Sequence, residues 1–265
     1  KKAKAIAYEY IKDRSGSYPV IKSMSEIVGN TSVIIAAEHL SHSVHGRGKM
    51  LGGFPGLNPS EVVIIGAGTV AEYAARTAIG LGALVKIFDD AVYKLRDIQN
   101  TLGSRVFTSV LQPKVLLKAL KTADAVIAAK HSYDSQLQFL VTEDMVRQMN
   151  PGSVIVDVSI DQGGCFETSR FTTHEHPVYQ EHEITHYCVP NIASRVPHTA
   201  SYSLSNYLSP VLLKIAELGG VENLLRRDHA FCNGVYVYNG TLTNELIGHK
   251  FGLNYQNLEL LLSAF

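Results

Sequence analysis

The run Val62-Val63-Ile64-Ile65-Gly66-Ala67-Gly68-Thr69-Val70-Ala71 carries an apolar, β-branched stretch straight into the spacing G-x-G-x-x-A. A strand that turns tightly into a helix needs those residue types. Gly66 permits the turn, Gly68 lets backbone approach a diphosphate, and Ala71 lets the helix close on the sheet. The free amides and the positive end of the helix dipole then meet the phosphates. A second apolar run ends at Phe88, and Asp89 stands 23 residues after Gly66, where a carboxylate binds the hydroxyls of an adenosine ribose. The same charge repels a 2′-phosphate, so the pattern favours NAD over NADP. Asp90 is the competing acid, one position on.

A second constellation is Asp157-Val158-Ser159-Ile160-Asp161-Gln162-Gly163-Gly164. Ligands of open α/β sheets bind beyond the carboxyl ends of the strands, and Asp161 falls just past such an end; the alternative is a capping or turn aspartate. Other candidates carry less. His39, His42 and His45, three apart, suit a partly exposed helix face better than a metal site, because no second group of ligands accompanies them. His174, His176, His182 and His186 occupy a polar stretch and read as solvated surface. Cys165 lacks an activating partner and reads as a buried thiol. No metal site is expected.

The elements that must position these residues follow from periodicity. Lys4 to Tyr10 alternates as a strand, Asp13 to Ser17 offers a turn, and Tyr18 to Ile21 resumes as a second strand. A helix starting near Ser23 or Ser25 should end between His45 and Gly48. The Gly/Pro-rich connector Gly52-Gly53-Phe54-Pro55-Gly56 follows. From Glu61 strands alternate with helices: strands at Val62–Ile65, Ala83–Phe88, Arg105–Thr108, Ala125–Ala128 and Val154–Val158, with helices to Gly80 and over Tyr93–Leu102, Lys114–Lys121 and Thr142–Met149. Strands this apolar predict a parallel, doubly wound sheet covered on both faces, an α/β Rossmann class. Tyr187-Cys188-Val189 suggests one more strand. Thr199 to Leu218 suggests a long helix that Pro210 should bend or break, and Tyr238-Asn239-Gly240 a turn.

Composition bounds the partners. Lys plus Arg equals Asp plus Glu at 24 each, so no global field draws the chain to nucleic acid or anionic lipid. No apolar run is expected to reach the roughly 18 to 20 residues of a membrane span, and no signal core follows the basic opening. Three cysteines without metal-type spacing suit a reducing cytoplasm. The first residue is not Met and a strand pattern begins at once, so a piece of a longer protein is expected.

With these residues in view, the chain resembles the alanine dehydrogenase and nicotinamide nucleotide transhydrogenase family. The resemblance is carried by Met24-Ser25-Glu26, Gly46-Arg47-Gly48, Leu51 to Gly56, the Gly66 to Ala71 fingerprint, Asp157 to Gly164 and Val189 to Asn206. The run from Asn223 to Phe265 looks like the alanine dehydrogenase-type proteins of one bacterial clade. The resemblance implies a Rossmann domain (49–196) inserted in a discontinuous substrate domain (1–22 and the end of 197–265), joined by connecting helices (23–48 and the start of 197–265). It implies reversible, NAD-dependent oxidative deamination of L-alanine to pyruvate and ammonia, and assembly into homo-oligomers. Carried over by position, Ser25 lies near the nicotinamide; Gly66, Ala67, Gly68, Thr69 and Val70 form the pyrophosphate turn. Asp89 binds the ribose, Val158, Asn191 and Ile192 contact the cofactor, and Asp161 is catalytic. The family's substrate-binding arginine and lysine and its acid/base histidine match nothing in these 265 residues, so activity of this chain alone is not expected. Ala129-Lys130-His131-Ser132-Tyr133-Asp134 replaces an apolar cofactor-lining loop, and Leu111 replaces a small polar residue near the adenosine. The competing readings are a transhydrogenase-type NAD(H)-binding component and a non-catalytic NAD(H)-sensing homologue.

Overall fold

The alternating N-terminal residues form only a two-residue strand, β1 (Ala5–Ile6), not the expected run to Tyr10. Its partner runs out: Ala7 N–H reaches the Gly234 carbonyl at 2.7 Å, just before that partner strand starts, and Tyr8–Tyr10 coil into a 3-10 turn. Tyr18 to Ile21 is not a strand either. Helix α1 (Pro19–Ser41) begins there, on a proline whose fixed φ suits the first helical position. It stops before His45 because the His42 ring accepts the amides of Val44 and His45, at 3.1 and 3.4 Å. Contrary to expectation, α1 is long and apolar enough, by length and composition, to cross a membrane (mean hydropathy 1.2). Packing accounts for much of that character: Val33, Ile35, Ala36 and Leu40 lie in a hydrophobic core.

The alternating stretch folds as predicted into strands separated by helices, and its central strands are apolar and buried on both sides. In chain order, β2 (Glu61–Ile65), β3 (Leu84–Asp89), β4 (Phe107–Val110), β5 (Ala125–Ala128), β6 (Val154–Asp157), β7 (Val178–Glu181) and β8 (Ile184–Tyr187) form one sheet, ordered β4-β3-β2-β5-β6-β8-β7. Every pairing is parallel except that of β7 with β8. Val62 and Ile64 enter one core, beneath α1, α2 (Thr69–Gly80) and α3 (Val92–Leu102). Val63 and Ile65 enter the other, beneath α4 (Pro113–Leu120) and α5 (Glu143–Val146). This is a doubly wound, Rossmann-type α/β sheet. Because β3 and β5 flank β2, the chain leaves β2 at the point where the strand order reverses, the usual place for a ligand crevice.

Some boundaries differ from the sequence-based expectation. β4 starts two residues later than Arg105, and α5 is one turn long. The strand expected at Tyr187 to Val189 already ends at Tyr187 as β8; its hairpin with β7 was not expected, and the turn residues His182 and Glu183 both have positive φ (53° and 62°). It carries His186 into the sheet, so that histidine is fully buried, not solvated.

The computed structural model describes residues 2–13, 15–130 and 139–263, in two units: Ser25–Pro197, which holds the sheet, and Lys1–Met24 with His198–Phe265. The second unit contains α6 (Pro197–Glu217) from His198 onward, α7 (Val221–Arg227), α8 (His229–Cys232), β9 (Val235–Tyr238), β10 (Thr241–Leu242), α9 (Glu245–Phe251) and α10 (Leu258–Ser263). Pro210 is accommodated inside α6 without ending it. β1, β9 and β10 form an antiparallel sheet, with the predicted turn at Asn239 and Gly240 and a core around Leu224, Phe231 and Leu258.

Candidate dinucleotide site

At the end of β2 the chain turns through Gly66 at φ +115°, a backbone state that side chains rarely adopt. A Cβ there would stand 2.6 Å from the Ala129 carbonyl oxygen, so the loop after β5 closes directly on this turn. Gly68 differs. As the residue before α2 it has φ −92°, open to any residue, and a Cβ would meet nothing within 4 Å. The fold itself does not need glycine there, whereas a ligand approaching the backbone would. The first amides of α2, from Thr69 onward, have no acceptor within the helix and face that open space with the positive end of its dipole. Ala71 is fully buried between helix and sheet.

Asp89 ends β3 and is 2% exposed. Its Oδ2 accepts the Ala67 amide at 2.8 Å and its Oδ1 the Ala91 amide at 2.9 Å. The acid therefore braces the glycine turn and retains lone pairs for further donors. The Lys130 ammonium lies 3.6 Å from Asp89 Oδ1 and 2.6 Å from Asp90 Oδ1. Asp90 is largely exposed, so Asp89 holds the inner position. Leu111 follows β4 and donates its amide to the Asp89 carbonyl at 3.2 Å.

The second motif divides its two acids. Asp157, at the end of β6, is fully buried and accepts from the amides of Ser159 (3.1 Å) and Cys165 (2.8 Å) and from Ser169 Oγ (2.6 Å). Burial pushes its carboxyl above the ordinary range, against those hydrogen bonds. The loop it holds carries half-buried Val158, whose amide extends the ladder to the Ala128 carbonyl, and a 3-10 turn at Ile160–Gln162. Ile160 anchors that turn in the core and Asp161 projects to solvent. Ser159 Oγ is buried with no hydrogen-bond partner among the described residues. Cys165 donates its thiol to the Lys130 carbonyl at 3.2 Å, and burial pushes it up to about 12, which suits a structural thiol and not a nucleophile.

The remaining expected residues fall as follows. Asn191 takes a left-handed conformation (φ 54°) ahead of a 3-10 turn; Ile192 is buried in the core and Asn191 is exposed. On α1, a Cβ at Gly29 would stand 2.4 Å from the Val70 carbonyl oxygen, and Asn30 Oδ1 accepts from Thr77 Oγ1. Helix α1 thus packs directly against the first turns of α2, and Ser25 lies one turn before Gly29 on α1. Of the three spaced histidines only His39 lies in α1. His42 and His45 stack in the following turn at 3.6 Å, so the expected common helix face does not form. His131 to Asp134 lie outside the described residues. Sequence reasoning missed the Lys130 ion pairs and the anchoring role of Asp157. The strand order carried the signal for the first, since β3 and β5 flank β2.

A family model described as "Alanine dehydrogenase/PNT, C-terminal domain" matches residues 32–245. An alanine dehydrogenase of Mycolicibacterium smegmatis is 40% identical over 249 residues, 94% of this chain and 67% of that protein. The chain belongs to the alanine dehydrogenase/PNT family. A solved L-alanine dehydrogenase matches with a TM-score of 0.87 and 39% identity, over 94% of this chain and 68% of that one. A transhydrogenase from Sinorhizobium meliloti, 21% identical with a TM-score of 0.73 over 92% of this chain and 67% of that one, shares the fold. The chain spans about two thirds of the length of the alanine dehydrogenases it matches.

Proposed function

We propose that this chain is the NAD(H)-binding portion of an enzyme that interconverts L-alanine with pyruvate and ammonia by oxidative deamination. The observation that carries the reading is the open space over Gly68 at the start of α2, with Asp89 bonded to the adjacent Ala67 amide. Gly66, Ala67, Gly68, Thr69 and Val70 would hold the diphosphate and Asp89 the adenosine ribose. Ser25, Val158, Asn191 and Ile192 would flank the remainder. When bound, the nicotinamide supplies the hydride acceptor or donor. Asp161, exposed beyond β6, would stabilise the positive carbon–nitrogen group that develops on the substrate and orient the attacking water or ammonia. Aligning that substrate over the nicotinamide and moving its proton call for further positioned groups. A cytoplasmic homo-oligomer is the setting this reading favours.

Titrating NADH into the chain tests it. Binding should be saturable, and Asp89→Ala should weaken it by about tenfold or more, the loss of hydrogen bonds to a charged group, with far-UV circular dichroism unchanged. Equal NADH affinity in a folded Asp89→Ala variant would falsify the ribose assignment.

A further inference from the structure

Helix α1 reaches two parts of the candidate site. At Gly29 no side chain separates it from the Val70 carbonyl in the first turn of α2, and Asn30 Oδ1 accepts from Thr77 Oγ1 at 2.5 Å. Two turns further along α1, Glu38 Oε2 pairs with Arg195 Nη2 at 2.5 Å. Beside it, the His39 ring lies against Tyr187, the fully buried last residue of β8, with centroids 6.1 Å apart. Arg195 closes the 3-10 turn Ile192–Arg195 that follows left-handed Asn191. Within that turn the Asn191 carbonyl accepts the Ser194 amide at 3.0 Å and the Ser194 hydroxyl at 2.8 Å. The same hydroxyl is 2.7 Å from His174 Nε2. Asn191, Ser194 and Arg195 thus form one braced piece, and the ion pair ties it to the helix that touches α2.

Resting on the dinucleotide-site reading above, we propose that Glu38 and Arg195 are positioning residues for the nicotinamide half of the cofactor. Through α1 the pair fixes the separation between the Asn191 turn and the diphosphate turn. The strand order gives the direction. Asp89, the ribose ligand of that reading, ends β3 on one side of β2, whereas Asn191 follows β8 on the other. A dinucleotide with its adenosine at β3 and its diphosphate at the start of α2 must point its nicotinamide toward β5, β6 and β8. Such a ligand binds well only when surfaces for both ends already stand at the right distance, because slack between them becomes entropy lost on binding. The side chains of the pair are 32% and 55% exposed, so it adds little to global stability. Its reach between two parts of the site is what distinguishes it from an ordinary surface pair.

The test is calorimetric titration of the 265-residue chain with NADH and, separately, with ADP-ribose, which keeps the adenosine and diphosphate but lacks the nicotinamide ring. The proteins are the unsubstituted chain, Glu38→Gln, Arg195→Gln and Arg195→Lys. Each glutamine variant should weaken NADH by about three- to fivefold, the scale of a partly exposed ion pair, and leave ADP-ribose within about twofold. Arg195→Lys, which keeps the charge, should recover most of the NADH affinity. In about 1 M sodium chloride the unsubstituted chain and Glu38→Gln should converge, because salt screens an exposed pair, whereas a packing defect would persist. Equal weakening of NADH and ADP-ribose would move the effect to the diphosphate turn or the fold at large and overturn the proposal. Unchanged NADH affinity in both glutamine variants would overturn it as well. If the unsubstituted chain binds neither ligand, the dinucleotide-site reading itself is defeated and this proposal falls with it.

Discussion

Asp157 and Asp161 belong to one short motif, yet their surroundings assign them different work. Asp157 is enclosed and committed to three donors from its own loop; Asp161 stands in solvent four residues later, where the proposed function gives it the substrate. In the full-length enzyme, Asp161→Asn should lower kcat by about a hundredfold or more, the scale of losing a charge that stabilises a developing one. NADH affinity should change little. An unaltered kcat would remove Asp161 from the chemistry. Spacing alone put Asp161 just past a strand end, with a turn aspartate as the alternative, and the family resemblance supplied its catalytic role; Gly66 and Asp89 stood out from the fingerprint itself. Asp157 could not be ranked the same way, because its role arises from Cys165 and Ser169 folding back on it. Lys130 was visible only as a departure from a family pattern, and its ion pairs required the strand order to be known.

Among the elements, the connector from α1 into β2 is held by one acid. Asp124, just ahead of β5 and 2% exposed, bonds Arg47 and Lys49 from the connector and accepts the Glu61 amide at 2.9 Å. Asp124→Ala should therefore destabilise the chain by about 2–3 kcal/mol, mainly by orphaning a backbone donor and two cations that are only partly screened. Asp124→Asn, which keeps an oxygen for the Glu61 amide, should cost less. Urea midpoints at constant m-value would check the order, and equal midpoints for Ala and Asn would contradict it. The β2–α2–β3 unit was readable because apolar period and glycine punctuation agree there. The N-terminus misled because Pro19 as a helix opener competes with an alternating pattern before it. The β7–β8 hairpin was hidden by a turn of His182 and Glu183, neither of the residues that usually signal left-handed backbone.

For the molecule as a whole, the double burial of the parallel sheet is what periodicity foretold, and it carries a pH consequence through His186. That ring is fully buried, 2.8 Å from Thr168 Oγ1 and stacked on Tyr179, and burial drops it to about 4 from its ordinary 6.5. Its neutral form is favoured in the folded state. This source of stability is fully present above about pH 6.5, where folded and unfolded forms are both neutral. It is lost as pH falls toward 4, where only the unfolded state has gained the proton. The loss approaches about 3 kcal/mol at its limit. An NMR titration should find the His186 ring still neutral at pH 5, and a midpoint near 6.5 would refute the assignment. The same enclosed sheet ends in the loop that Asp157 grips. With its footings stapled from within and only its crown bare, that loop surrenders its conformational entropy during folding. A molecule arriving at the crown meets a surface already preorganised, so the firmness of the encounter is governed by an aspartate it never touches.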